Sequence, residues 1–392
     1  MKARTILLVC VSGVIVAGGI SCTPSSGPSH RHSATAGASS VDLERDYLIG
    51  YLSARKLGLR INFQTHTYPE DESGIQLMSV QGDAIFVLDG VNFLTRLRRS
   101  NGQRLWRLPI ASRLDIIQGI TYQPLTERVF LTSTSHLLVL DDDTGSMIDK
   151  QDLGQIASTA PVVYGEFFIY GSRNGQVVWH SSQVGYQWRG YQVSPTIRVA
   201  PLLVGGVIVV TGSDGRVMVL DAGSAAGIWN KRLLNEVAAA PTTHDGLLYI
   251  AGLDQYLWAI DLASGRTLWK YLAEVPLKNP PTVLDGQLYV QIQGTGLHCF
   301  APHPLDTPGG EILWTAPDVT GDVIGAHGHR LFVWDAAARV LAIVDATRGG
   351  VMTTVALPDV KHLYMLGTDE LYAAGDDGRV ISLSPTDRKR TQ

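Results

Sequence analysis

Several side chains in this 392-residue chain could do chemistry, and nearly all are aspartates, histidines or cysteines. Asp143-Thr144-Gly145-Ser146 and Asp221-Ala222-Gly223-Ser224 each set a carboxylate beside a glycine and a hydroxyl. Brought face to face, two such carboxylates share one proton and activate a water. Asp141-Asp142-Asp143 offers oxygen ligands for calcium, and His298, His303, His327, His329 and His362 offer imidazoles for a metal. Each reading has a plainer competitor. Asp261-Leu262-Ala263-Ser264-Gly265 occupies the same place in the chain's pattern without the paired motif, so a turn accounts for all three segments. The aspartate run lacks the glycine and terminal glutamate of a calcium loop. No helix presents the histidines at a fixed spacing, and each lies near a turn, where exposure is expected. His30 and His32 sit in a polar tract and are expected to be filler. No catalytic, metal or cofactor site is therefore expected.

Of the three cysteines, Cys10 lies in an apolar N-terminal run, Cys22 ends it, and Cys299 alternates with strand residues. No structural disulfide is expected, and Cys299 is expected to be buried and inert.

The elements that carry these residues repeat with a period near 40. Pro161, Pro201, Pro241 and Pro281 are 40 apart. Trp106, Trp188, Trp229, Trp269 and Trp314 form a second ladder, expected to pack blade on blade through large rings. Trp179, Trp258 and Trp334 also fall in or beside strands and are assigned to no ligand. The third ladder, at strand ends, runs Arg98, Asp141, His180, Asp221, Asp261, Ala301, Asp345 and Ser384, and its eight members imply eight units. In each unit a proline-led strand precedes a hairpin, with Asn174-Gly175, Asp214-Gly215 and Asp377-Gly378 at tight turns, and a tryptophan-bearing strand follows.

Four antiparallel strands per unit, with no room for crossover helices, predict an all-β, eight-bladed β-propeller over 58–385. The last unit lacks its fourth strand, while residues 58–66 resemble a tryptophan strand without a blade, Phe63 falling one residue after the aligned position of Trp106. That N-terminal strand is expected to complete the last blade, closing the ring and removing exposed edges.

Composition agrees with this reading. Forty-one glycines with many Val, Ile, Tyr and Trp favour short strands and turns, and a formal net charge of −4 gives no basic field for nucleic acid. Residues 1–22 combine Lys2 and Arg4, an apolar stretch and small residues, which predicts a secretory signal. Its end, Gly19-Ile20-Ser21-Cys22, resembles the bacterial lipobox, which implies lipidation of Cys22; the alternative is plain secretion. Residues 23–40 are expected to be a disordered Ser/Pro/Gly tether and 386–392 a polar tail. Within 41–57, Leu43, Tyr47, Leu48, Tyr51 and Leu52 recur at helical spacing and predict a short amphipathic helix, packed on the propeller rim or docked on a partner or membrane.

The Ala-Pro strand, Tyr-rich strand, Asp turn and Gly-x-x-x-Trp strand together resemble the pyrroloquinoline-quinone-like (PQQ-like) repeat family over 58–384. Within it, the length, lipobox-like cysteine, eight units and N-terminal closure are similar to a lipoprotein of the outer-membrane barrel-assembly machinery. That resemblance implies a non-enzymatic scaffold anchored on the periplasmic face of the outer membrane, with envelope proteins as partners. Thr23 after Cys22, rather than Asp, agrees with that location. The resemblance also points to the loop 195–200, with Ile197 and Arg198 as candidate partner contacts. The family name raises a quinone-dependent dehydrogenase, but the greater length and adjacent Cys-Cys pair of those enzymes are missing, and the aspartates are spread one per unit. A surface propeller that binds a small ligand or carbohydrate in its central funnel is the alternative.

Overall fold

The computed structural model describes residues 46–70, 73–303 and 308–386. The signal-like segment with Cys10 and Cys22, the tether with His30 and His32, and the tail beyond Thr386 lie outside the described residues. A six-residue helix, α1 (Tyr51–Lys56), precedes strands gathered into eight four-stranded antiparallel sheets. In seven of them the strands follow chain order. The eighth is ordered β1 (Leu59–His66), β32 (Arg379–Pro385), β31 (Glu370–Gly375), β30 (Val360–Leu366), so the first strand of the chain completes the last blade. First strands of neighbouring blades approach one another and surround the axis. This is the eight-bladed propeller, closed by the N-terminal strand, that the ladders predict.

Strand chemistry follows position in the blade. The third strand of the fourth blade, β16 (Arg216–Asp221), is covered on both faces and buries Val217, Met218, Val219 and Leu220 in succession. Its outer neighbour β17 (Gly227–Arg232) alternates between exposed and half-covered residues, as a strand with one solvated face must. Gly175, Gly215 and Gly378 hold positive φ in the turns between second and third strands, where a side chain would be strained.

A single β-bulge recurs in all eight blades, between the third and outer strands. It twists the outer strand and aims one side chain at the next blade. At that position stand Trp106, Trp229, Trp269 and Trp314. Their indole N–H groups donate to the backbone carbonyls of Asp142, Leu262, Pro302 and Ala346, each in the following blade, at 2.6 to 3.1 Å. Each carbonyl lies just beyond the end of a third strand, in a turn whose glycine sits beneath the ring. A Cβ on Gly145 would lie 2.8 Å from Trp106, and one on Gly265 the same distance from Trp229.

Three sequence expectations need correction at this seam. Trp188 is not a blade-packing residue: the bulge puts Arg189, not Trp188, opposite Trp179, and Trp188 turns outward, 40% exposed, stacked on Phe167. The buried Trp179 of the third strand supplies the indole instead, donating to Ala222 O at 2.8 Å. With no ring from the outer strand, the turn tolerates Ala225 where other blades keep glycine, still at positive φ. The strand-end ladder runs through Ser181 rather than His180, since Ser181 faces Phe167 as Asp221 faces Val207. Phe63 stands at the tryptophan position itself, opposite Ser382, because the bulge at Ile61/Phe63 absorbs the one-residue offset.

The N-terminal segment also differs from expectation. Among the described residues the helix Tyr51–Lys56 starts afresh after Gly50, which is extended at φ −61° and ψ 158°, while Asp46 is helical before it and Leu43 lies outside the described residues. Leu48, Ile49, Ala54 and Leu57 are buried, whereas Tyr51 and Leu52, expected on the apolar face, are exposed. The buried four join Phe332, Trp334, Ile343 and Leu383 in the core between the seventh and eighth blades. There the bulge position holds Thr353 and no ring, so the N-terminal segment supplies apolar volume to that seam.

One seam carries a buried charge pair. Arg96 Nη2 lies 2.6 Å from Asp142 Oδ2, both side chains almost wholly covered, and the Tyr122 hydroxyl donates to the same oxygen at 3.2 Å. Arg96 Nε and Asp142 Oδ1 have no hydrogen-bond partner, and burial pushes the Asp142 carboxyl above its ordinary range against the pull of Arg96.

Three variants follow. Trp269→Ala is expected to cost about 3–5 kcal/mol in denaturant unfolding, and Trp188→Ala less than about 1. Gly265→Ala, which meets Trp229 at a positive φ, is expected to cost about 2 kcal/mol or more, and Ala225→Gly less than about 1. Asp142→Ala alone is expected to cost about 3–5 kcal/mol by stranding Arg96, and adding Arg96→Val, the residue type of Val219 in the fourth blade, to restore most of it.

Candidate functional site: the inter-blade loop face

In every blade the turn between second and third strands emerges at the same end as the loop that leads to the next blade. Backbone bonds join the two. Ile197 N–H donates to Ser172 O, Ala157 N–H to Thr134 O, and Leu277 N–H to Gly252 O. These bonds place Ala157, Ile197, Val237 and Leu277, 40 residues apart, in one repeated buried position. Ile197 is therefore core and is withdrawn as a partner contact. The repeat itself carries the signal that would have excluded it, an apolar residue four before each ladder proline.

Arg198 projects from the same loop into solvent. Its guanidinium donates to Glu236 Oε1 at 3.1 Å, across from the loop of the following blade. The Arg198 side chain stays 66% exposed within the pair, while Glu236 is mostly covered. Such a pair adds little to stability, but it fixes the guanidinium plane at a solvent-facing position. Two residues before Glu236, Leu234 stands 83% exposed at the position held by Gly154, Ser194 and Glu274 elsewhere. Sequence reasoning missed Glu236 and Leu234, although one leucine in a column of small or polar residues was readable. On earlier loops of this face Leu114, Ile116 and Ile156 are also exposed. Loop backbone satisfied by the neighbouring turn holds these side chains on a rigid frame.

The chemically suggestive residues serve turns and core. Asp221 Oδ1 accepts from the backbone N–H and the hydroxyl of Ser224, Asp261 Oδ1 likewise from Ser264, and Asp141 Oδ1 from Thr144. These bonds hold all three carboxyls below their ordinary range. The two Asp-x-Gly-Ser segments are not repeat equivalents: Asp221 matches Asp141, so Asp143 stands two residues further along its turn. They belong to different blades and do not face one another.

The histidines differ from the expectation of exposure. His298 and His362 lie on strands, largely covered, and burial lowers both imidazoles below their ordinary range. His298 Nδ1 is 3.1 Å from Gly296 O, and His362 Nε2 is 3.0 Å from Ile75 O. His327 reaches Thr368 O from a strand end, while His303 and His329 are exposed. Among the described residues no three His, Cys, Asp or Glu side chains gather as metal ligands. Cys299 is fully buried beneath the Trp314 strand, its thiol pushed up to about 12 by burial.

The comparisons with known proteins agree with this geometry. A family model described as outer membrane protein assembly factor BamB matches residues 168–302, from the third blade into the sixth. No curated protein matches the chain in sequence. Among solved structures, BamB from Moraxella catarrhalis superposes with a TM-score of 0.66 at 20% identity, covering 85% of this chain and 99% of that one. The computationally designed Ika8 protein superposes with a TM-score of 0.65 at 14% identity, covering 83% of this chain and 99% of its own. Likeness at these identities is likeness of fold. The chain is an eight-bladed propeller of PQQ-like repeats that resembles the assembly factor BamB.

Proposed function

We propose that this chain is a non-enzymatic scaffold of the bacterial envelope, serving outer-membrane β-barrel assembly by holding other envelope proteins on its inter-blade loop face. The observation that carries this reading is the exposed chemistry of that face: the Arg198–Glu236 pair with Leu234 beside it, and Leu114, Ile116 and Ile156 on preceding loops. Arginine and large apolar side chains on a pre-formed frame are the composition of interface anchors, because they bury much area and lose little freedom on binding. Similarity to BamB supports the assembly role. Engagement of Asp141, Asp221 and Asp261 in their own turns supports a non-enzymatic reading. The signal-like N-terminus, with its lipobox-like end at Cys22 and Thr23 after it, supports export and a lipid anchor on the periplasmic face of the outer membrane.

The test is crosslinking of the full-length protein in cells, then mass spectrometry of what is recovered with it. A barrel-assembly component is expected, and Arg198→Glu combined with Leu234→Asp should lower its recovery about tenfold or more, as loss of an interface anchor does. Trp188→Ala, off this face, should leave recovery unchanged. Absence of any assembly component, where other envelope complexes survive, would overturn the assembly role.

A further inference from the structure

The seam between the seventh and eighth blades differs from the rest in a way that leaves a surface of distinct chemistry. The bulge position holds Thr353, as it holds Asp149 and Arg189 without a ring in the second and third blades. Here, however, the N-terminal segment packs in, and a cleft of about 620 Å³ remains between the rim of the seventh blade and α1. Arg55, Lys56, His329, Arg330 and Met352 are among its lining residues. On the other side of α1 a second cleft, of about 510 Å³, is lined in part by Tyr51, Arg55, Arg60 and Asn62. Among the described residues no carboxylate lines either cleft, although the chain as a whole carries a net charge of −4. Asp46 adjoins the second cleft, its carbonyl accepting from Gln64, while Asp369 pairs with His327 at 3.3 Å and Asp345 accepts from its own turn.

Apolar side chains interleave with these cations. Tyr51 and Leu52 on α1, and Val351 and Met352 on the adjoining outer strand β29 (Val351–Ala356), are each roughly half exposed. Other outer strands also expose apolar residues, accompanied by carboxylates in the cleft between the second and third blades, where Asp149 and Glu166 stand, and by cations alone within β17 and within Tyr186–Gln192. At α1 the apolar residues come with four cations, Arg55, Lys56, Arg60 and Arg330, gathered on both sides of one helix. Arg55 and Lys56 also close the helix, where the macrodipole favours positive charge and holds them at the surface.

We infer that this rim, made of α1, the start of β1 and the edge of β29, is a contact surface for an anionic phospholipid bilayer. Arg55, Lys56, Arg60 and Arg330 meet headgroup phosphates, while Tyr51, Leu52 and Met352 enter the interface. Cations beside a half-exposed aromatic and aliphatic patch are what a peripheral membrane surface requires. The course of the chain selects the occupant. The described residues begin at Asp46, at this rim, and Cys22 lies 24 residues upstream, so a lipid at that cysteine would deliver the membrane to this edge. The propeller then stands edge-on to the bilayer, with its loop face free at right angles to it. The inference is independent of the partner-binding reading, since the two use different residues and different readouts.

The test uses the full chain reconstituted into vesicles of phosphatidylethanolamine, with or without phosphatidylglycerol, the phospholipids brominated as depth quenchers. An environment-sensitive fluorophore is placed at Leu52→Cys, and in a second protein at Leu125→Cys, a fully exposed turn of the second blade; Cys299 is buried. The fluorophore at position 52 should be quenched at least about twofold more in vesicles containing phosphatidylglycerol than in neutral ones, and this gain should vanish at high salt. The one at position 125 should respond to neither. Replacing Arg55, Lys56 and Arg60 by Gln should abolish the gain while leaving the unfolding midpoint unchanged, because all three are exposed. Equal quenching at position 52 in neutral and anionic vesicles, or a gain that survives the triple replacement, overturns the inference.

Discussion

Much of the ring stands on one repeated contact: in four blades a tryptophan of the outer strand reaches the carbonyl that follows the third strand of the next blade. The bulge makes this possible by turning one outer-strand residue sideways, out of the sheet's own alternation. The following blade answers with a turn in which an aspartate ties down its own backbone, a glycine at positive φ leaves space, and a carbonyl points back. Indole suits this place because it covers a large apolar area and carries one donor at its edge. Where indole is missing, the same carbonyl still finds a partner: Gln151 Nε2 donates at 2.8 Å to Ser182 O, between the second and third blades. A donor at that point is the commonest solution, while the seventh and eighth blades, with Thr353 and Phe63 at the bulge position, meet their neighbours by packing instead.

Much of this was legible because a repeat prints its constraints several times. Prolines 40 apart and Asn-Gly or Asp-Gly turns mark strand boundaries by local backbone chemistry, which needs no tertiary knowledge. The missing last strand and the orphan first strand forced closure by simple counting. The bulge was less legible. A one-residue insertion in the outer strand cannot be separated from an alignment offset by spacing alone, which is how Phe63 seemed displaced, Trp188 seemed equivalent to Trp229, and His180 entered a column that belongs to Ser181. Yet a trace was present: Ala225 stands where blades with a docked ring keep glycine, and a Cβ there is compatible only with a ring that comes from somewhere else.

The candidate site was harder to read for the opposite reason. Function in a repeat protein lies where a column departs from its rule, and Ile197 obeys its column. Leu234 departs from its column of Gly154, Ser194 and Glu274, and Arg198 shares its column with Ser158, Ala238 and a second cation, Lys278, each a place the fold does not need to bury. Pairing of Arg198 with Glu236 depends on how far one blade is rotated from the next, which spacing along the chain does not express. The short N-terminal helix likewise follows tertiary demand over periodicity. Gly50 interrupts the helix, and the seam without a ring draws in Leu48 and Ile49, which leaves Tyr51 and Leu52 outside.

Closure of the ring explains why the blade 7 and 8 seam is the place where departures collect. Every other junction joins units that follow one another directly in the chain, or, between the eighth and first blades, carries the Phe63 ring over Gly102 and the Arg99–Glu370–Tyr372 network. The seventh and eighth blades also follow one another in the chain, but they meet where it both enters and leaves, with Gly58 bonded to Thr386. A ring from the seventh blade would occupy the space that the entering segment needs, so Thr353 and the apolar residues of that segment are two halves of one solution. Its outward side, free of any blade neighbour, is then the part of the rim on which exposed charge can be arranged without cost to the core.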